Sequence, residues 1–251
     1  MAQVFFLCEI ATHQQNKENN AGKSTFLDHF RKLGNVSVFA EPVDKWRDLN
    51  GHNLLQLMYE NPDRHSLTFQ SYVQLTMAQI HAEKTPPGKV KMMERSLWSA
   101  RYVFSENLKR SGKMASSEFE VLDSWFDFLR TSDQVDLGAD LVIYLRTSPE
   151  VSYERLKARA RPEEKVVSID YLRDVHELHE KWLILNKDSS RYGGAKLLVI
   201  DANKDMTEVP HVYSEHECLI FEAIESFHDK LKRPRRCERV SSALVDVTNN
   251  S

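Results

Sequence analysis

The sequence predicts an α/β fold built on a parallel sheet, and three observations carry that prediction. Short β-branched and aromatic runs recur at long intervals along the chain. They are continuously apolar rather than alternating, as strands buried on both faces require. Helical patterns fill the intervals, and strands alternating with helices give crossover-linked parallel strands. With 251 residues the chain suffices for one substantial domain or two small ones. It shows no internal repeat and no linker that would split it.

Taken in order, Val4-Phe5-Phe6-Leu7 reads as the first strand, followed by a helical Phe26-Leu27-Asp28-His29-Phe30. Val36-Ser37-Val38-Phe39 is the second strand. Phe69, Val73, Met77 and Ile80 share one face of a helix expected over about 66–82. Val90-Lys91-Met92-Met93 is the third strand, and Ala100, Val103, Phe104 and Leu108 mark a helix after Ser96. Leu141-Val142-Ile143-Tyr144-Leu145 is the fourth, closed by Ser148-Pro149-Glu150, which reads as an N-cap, a first-turn proline and an acidic first turn. Leu172, Val175, Leu178 and Trp182 define a helix after Ser168, and Leu197-Leu198-Val199-Ile200 is the fifth strand.

The ends differ from this body. Residues 11–20 are polar and read as an exposed loop, and the stretch from about 229 carries Lys230, Lys232, Arg233, Arg235, Arg236 and Arg239 against Asp229 and Glu238. The expected organisation is one domain over 1–228 and a disordered basic and polar tail over 229–251. A net charge of −3 gives no whole-chain electrostatic case for nucleic acid. No apolar run approaches the roughly 20 residues that cross a bilayer. Cys8, Cys218 and Cys237 have neither metal-ligand spacing nor a disulfide pattern, which points to a reducing compartment. The start lacks an Arg-rich amphipathic presequence, and the basic tail is a weak nuclear-import signal, so the expected location is cytoplasmic or nuclear.

Chemistry concentrates at the ends of the expected strands. Ala21-Gly22-Lys23-Ser24-Thr25, opening a helix, is the second half of a phosphate loop, in which backbone N–H groups cradle phosphate oxygens, Lys23 reaches the terminal phosphates and the Ser24 hydroxyl binds Mg²⁺. The full signature needs a glycine where Lys17 stands, and residues 1–21 hold none of the chain's 8 glycines. Taken alone, Gly-Lys-Ser is equally an ordinary helix start. Glu41-Pro42 follows the second strand, where open α/β sheets place ligands. Its carboxylate can act as general base toward a hydroxyl, or be a solvated loop residue. Glu94-Arg95-Ser96 follows the third strand, able either to hold Mg²⁺ and a developing phosphoryl charge or to form a structural ion pair. Arg155, Arg159 and Arg161, ahead of Glu163-Glu164, suit a phosphate-clamping lid, or a basic helix face. Phe69-Gln70 pairs an aromatic ring with an amide able to read the edge of a base, though a lone helical glutamine also commonly faces water.

The order of the pieces narrows these alternatives. Glu41-Pro42-Val43-Asp44-Lys45-Trp46, Phe69-Gln70-Ser71-Tyr72-Val73, Glu94-Arg95-Ser96 with Ser99-Ala100-Arg101-Tyr102, Ile143 through Glu150, and Arg159-Ala160-Arg161-Pro162-Glu163-Glu164 occur in that succession. From about residue 21 to 225 the chain closely resembles the deoxyribonucleoside kinase family, in particular its insect multisubstrate and mitochondrial-type thymidine kinase branches. The resemblance implies a P-loop kinase fold, a five-stranded parallel sheet flanked by helices with a mobile lid, and ATP with Mg²⁺ as cofactors. It implies a deoxynucleoside as the other small-molecule partner and a homodimer joined through helices around 52–82 and 97–132.

Carried over position by position, the resemblance makes Glu41 the base on the nucleoside 5′-hydroxyl and Arg95 the arginine beside it. Glu94 and Ser24 match the Mg²⁺-holding residues, and Gly22, Lys23, Ser24 and Thr25 the phosphate loop. Arg155, Arg159 and Arg161 match the lid over the ATP phosphates. Gln70 matches the base-pairing glutamine, sandwiched by Phe104 and flanked by Phe69. Trp46, Leu55, Val73, Met77 and Ala100 match the pocket walls, and Tyr59 with Glu164 the pair on the sugar 3′-hydroxyl. Apolar Met77 and Ala100 stand where deoxycytidine- and purine-preferring members carry Arg and Asp, so thymidine and deoxycytidine are the expected substrates. The chain departs from the family pattern between Glu9 and Lys23, where seven extra residues intervene and two glycines are missing. That departure keeps open a catalytically impaired, nucleoside-binding pseudokinase, and the architecture also admits a nucleoside monophosphate kinase.

Overall fold

Five parallel strands form a single sheet in the order β2-β3-β1-β4-β5 in the computed structural model. The structure describes residues 5–9, 23–159, 167–186, 188–192, 194–203, 217 and 220–222, with the backbone alone for 5–9, 23–25, 159, 189 and 191. The strands are β1 (Phe5–Glu9), β2 (Val36–Phe39), β3 (Val90–Glu94), β4 (Leu141–Arg146) and β5 (Lys196–Asp201). Each of the five apolar runs in the sequence is a strand, and β3 and most of β4 are buried residue after residue, as a sheet covered on both faces demands. The chain goes from central β1 out to β2, returns to β3, and then crosses to β4 on the other side. That reversal puts the strand ends of β1 and β3 at the switch point where such sheets bind ligands.

The helices follow their local signals. α1 (Lys23–Arg31) begins at the Gly-Lys-Ser triplet, and buries Phe26, Leu27 and Phe30 in a core cluster with Val90, Met92, Leu141, Ile143, Leu198 and Ile200. Two short helices, α2 (Val43–Arg47) and α3 (Leu54–Glu60), follow β2. α4 (Pro62–Ala82) starts earlier than the apolar spacing indicates, because Asn61 caps the backbone N–H of Arg64 and Pro62 fits the first turn. The segment after Ser96 is one helix with a tight interruption. It runs from α5 (Leu97–Ser99) through a π-helical turn (Ala100–Ser105) into α6 (Glu106–Arg110). α7 (Ser116–Thr131), α8 (Pro149–Arg159) and α9 (Ile169–His179) complete the layers, and α9 continues into a second π-helical turn, Glu180–Leu185. Ser148 caps α8 and Ser168 caps α9, as their sequences predict. The larger core cluster joins α2, α3, α4, α5 and α9 to the sheet and includes Trp46, Phe69, Met77, Phe104, Val142 and Tyr144. No helix among the described residues is long and apolar enough to cross a membrane.

Candidate active site

β3 ends at Glu94, and the next residue turns the chain sharply. Arg95 adopts left-handed backbone geometry with φ 60°, a conformation that costs a non-glycine residue about 1–2 kcal/mol. Ser96 then caps the following helix in a reciprocal box: its hydroxyl accepts from the Ser99 N–H and its own N–H donates to the Ser99 hydroxyl, both at 3.2 Å. This strained, capped turn is what aims Arg95 across to the end of β2. There its Nη1 donates to Glu41 Oε1 at 2.7 Å, with both side chains almost wholly buried. The Glu41 backbone N–H donates to Glu94 Oε2 at 3.2 Å. Strand ends 53 and 54 residues apart in sequence are thereby joined into one acidic and basic cluster.

Beside the cluster lies a narrow cavity lined by Glu41, Trp46, Phe69, Gln70, Val73, Met77, Arg95, Ser96, Ser99, Ala100 and Phe104. α4 supplies four of these from one face: Phe69, Gln70, Val73 and Met77. The π-helical turn supplies Ala100 and Phe104, in keeping with the occurrence of such turns at functional sites. The Arg95 guanidinium lies 4.3 Å from the centroid of the Phe104 ring. Trp46 and Phe69 meet edge to face at 5.6 Å, and the Trp46 indole N–H donates to the Thr76 hydroxyl at 2.9 Å. Gln70 is buried, and its amide oxygen has no hydrogen-bond partner among the described residues. A buried polar atom left in that state costs about 1–3 kcal/mol, and a ligand presenting an N–H would recover it.

A second, roomier cavity, of about 110 Å³, shares Gln70 and Phe104 with the first. It is lined also by Met58, Tyr59, Asn107, Lys113, Val167, Ser168 and Tyr171. Burial pushes the Tyr171 hydroxyl up to about 12, Arg95 opposing and Glu41 adding to the effect, so it stays protonated beside the ion pair.

The structure thus brings together Glu41, Glu94, Arg95, Trp46, Phe69, Gln70, Val73, Met77, Ala100 and Phe104, all expected from the sequence, with Tyr59 in the adjoining cavity. Leu55 is not among the lining residues of either cavity; it is buried in the core on α3, and Met58 and Tyr59, one turn later, face the space instead. Arg155 is likewise corrected in place. It lies on α8, and its Nη1 donates to the Ala202 carbonyl just past β5 at 2.8 Å, so it braces the helix against the sheet rather than hanging in a lid. Arg159 is the last residue of α8 by its backbone, and Lys23, Ser24 and Thr25 form the first turn of α1. Gly22, Arg161, Glu164 and the 11–20 segment lie outside the described residues. Ser96 and Ser99 stand in the quoted motifs but were given no role, although they carry a readable capping signature; Tyr171 was not foreseen and has no local signal.

The family model for deoxynucleoside kinases matches residues 20–227, most of the chain. This chain belongs to the deoxynucleoside kinase family. It is 46% identical over 196 residues to human "Thymidine kinase 2, mitochondrial", covering 78% of this chain and 72% of the relative. It is 35% identical over 215 residues to Xenopus laevis "Deoxycytidine kinase 1", covering 75% and 80% respectively. Against human "Deoxycytidine kinase" the identity is 32% over 213 residues, covering 75% and 82%. For a deoxynucleoside kinase the strand-end cluster and the aromatic and amide-lined cavity form one connected space, with acidic chemistry at one wall and an apolar slot at the other.

Proposed function

We propose that this deoxynucleoside kinase transfers the γ-phosphoryl group of ATP to the 5′-hydroxyl of thymidine and deoxycytidine, in nucleotide salvage. The observation that carries the reading is the buried Gln70 amide, its oxygen unpartnered among the described residues, in the same apolar cavity as the Glu41–Arg95 pair. A glutamine amide offers both donor and acceptor to the edge of a pyrimidine base, and Phe104 offers a ring to stack on it. Arg95 is the one arginine among the described residues that line this cavity, which suits a neutral nucleoside better than a nucleoside monophosphate.

In the reaction the nucleoside 5′-oxygen forms a bond to the γ-phosphorus, the bond to the bridging oxygen of ADP breaks, and the hydroxyl proton passes to Glu41. Arg95 holds the Glu41 carboxylate in place and keeps a positive charge near the transferring group. Phe69, Val73, Met77, Ala100 and Trp46 exclude water and orient the base, with Tyr59 and Glu164 on the sugar. Lys23 and Thr25, with Arg159 and Arg161, are assigned to the ATP phosphates.

Mg²⁺ would neutralise the phosphate oxygens. Glu94 fits it as a carboxylate fixed at a strand end, and Ser24 would be its second protein ligand. Among the described residues no cluster of three or more metal-ligating side chains exists.

The test is the initial rate of thymidine monophosphate formation from thymidine and ATP, with wild type beside Glu41→Gln. Glutamine keeps an oxygen for Arg95 but cannot accept the proton, so kcat should drop by about 10²–10³-fold while thymidine binding changes little. Thymidine binding without turnover in the wild type would instead favour the pseudokinase reading, traceable to the 9–22 departure. Absence of both would overturn the assignment.

A further inference from the structure

β3 is covered on both faces, yet its second residue is a lysine. Lys91 is completely buried, the one lysine among the described residues to be so. Among the described residues its ammonium donates to three backbone carbonyls: Ile80 at 2.6 Å, His81 at 2.9 Å and Glu83 at 2.6 Å. These belong to the last turn of α4 and the residue after it. A helix end leaves such carbonyls without intrahelical partners, and a glycine in left-handed geometry usually closes it. Here Glu83 follows with extended backbone geometry and no glycine, so the ammonium of a neighbouring strand does that work.

The contact reaches further than the helix end. The Lys91 ammonium also lies 5.1 Å from the centroid of the Phe39 ring, at the end of β2 and two residues before Glu41. His81, whose carbonyl it binds, donates from Nδ1 to the Asp136 carbonyl at 3.1 Å and accepts the Leu97 N–H on Nε2 at 3.5 Å. One buried cation therefore ties together β2, β3 and the end of α4, and through His81 the start of α5. Gln70, Met77 and Glu94 lie on these elements, and Glu41, Arg95 and Ala100 follow closely on the ends of β2, β3 and α5.

We propose that Lys91 is a positioning residue for nucleoside binding, its ammonium holding the base-reading face of α4 in register with the Glu41–Arg95 pair. This rests on the nucleoside kinase reading above. Among the described residues the ammonium is faced by the Glu83 and Asp136 carboxylates, the neutral His81 ring, the Phe39 ring and these carbonyls. Burial lowers Lys91 to about 8, with Glu83 and Asp136 opposing. The clamp is therefore charged at pH 7 and gives up its proton as the solution is made alkaline, leaving an amine with two N–H groups for three carbonyls. An arginine at this position would keep its charge throughout.

The experiment measures thymidine and ATP dissociation constants by calorimetry, and thermal unfolding, for wild type, Lys91→Met and Lys91→Arg at pH 7 and pH 9. Lys91→Met should weaken thymidine at least about tenfold while leaving ATP within about threefold. Lys91→Arg should bind thymidine nearly as wild type at pH 7, and should lose less affinity than wild type on going to pH 9. Thymidine's own ionisation is common to both proteins. A lower unfolding temperature for Lys91→Met with unchanged thymidine binding would make Lys91 merely structural and overturn the proposal. If Lys91→Met does not fold, the wild type and Lys91→Arg comparison decides, and equal alkaline losses in the two overturn it. Absence of thymidine binding by wild type at pH 7 would refute the nucleoside kinase reading itself.

Discussion

Glu41 is gripped from two directions, its carboxylate by Arg95 and its backbone N–H by Glu94, so the carboxylate has a fixed place at the cavity wall. The residues proposed to set substrate choice sit across the same space. Met77 and Ala100 are both buried there, and neither offers a polar atom to a base. An apolar wall tolerates the 5-methyl of thymine, whereas a charged pair in its place would fill that room and impose hydrogen-bonding demands. Replacing Met77→Arg together with Ala100→Asp should reduce kcat/KM for thymidine by about a hundredfold or more relative to deoxycytidine. Undiminished thymidine use, in a variant whose circular dichroism is native, would show that these two positions do not form the base wall.

At the scale of elements, α4 is the member that most of the site depends on. Its start is capped by Asn61 and its middle is bound to α7 through Gln74, whose amide donates to the Leu122 carbonyl at 3.0 Å. Its end rests on Lys91 and His81. Burial, with the Lys91 charge adding to it and the Asp136 carbonyl opposing, depresses His81 to about 3 from its ordinary 6.5. Below about 6.5 the unfolded chain takes up a proton that the folded chain refuses until about 3, so His81 makes stability fall with acidification across that window. The limiting slope from this one group is about 1.4 kcal/mol per pH unit. Urea unfolding from pH 7 to pH 4 should therefore show a shallower acid loss in His81→Gln than in wild type. Parallel curves would mean that the His81 ring is not held neutral in the fold.

At the scale of the whole molecule, two packed helices leave apolar side chains in water. Leu75 of α4 is 53% exposed, and Val121, Trp125 and Phe128 of α7 are 49%, 56% and 60% exposed. Trp125 and Phe128 meet edge to face, forming one patch. Such a patch is costly on a free monomer and suits a two-fold contact with a second copy, in line with the homodimer that the family resemblance implies. Trp125→Glu with Phe128→Glu should convert a dimer of the wild type into monomers by light scattering after size exclusion, because each new carboxylate would face its own copy across the axis. A wild type that elutes as a monomer at micromolar concentration would remove this proposal.

Much of this was legible in the sequence. The five strands and the longer helices could be read because burial on both faces, 3.6-residue spacing and capping residues are local properties of a few neighbouring positions. Glu41, Glu94 and Arg95 could be singled out as charged groups at strand ends, and Gln70 as an amide on an apolar helix face, while their roles came from the family resemblance. Leu55 was placed at the pocket wall because an apolar residue beside a pocket and one beneath it look alike in sequence. α7 was reached only through the resemblance, within the helices around 97–132, because its outward aromatics blur the helical stripe. Lys91 was hidden inside an apolar run, where nothing local says that three carbonyls from another element surround it.

The sequence by itself determined which elements form, in what order, and which side chains are chemically able to act. Only the tertiary structure decided which of them meet. The order β2-β3-β1-β4-β5 sets the ends of β2 and β3 side by side, which makes Glu41 and Arg95 an ion pair across 54 residues of chain. It also lodges Lys91 under the end of α4 and Tyr171 beside that pair. The physical reason is range: propensity and capping act over a few residues, whereas a site is assembled from contacts whose energy exists only once distant segments are packed.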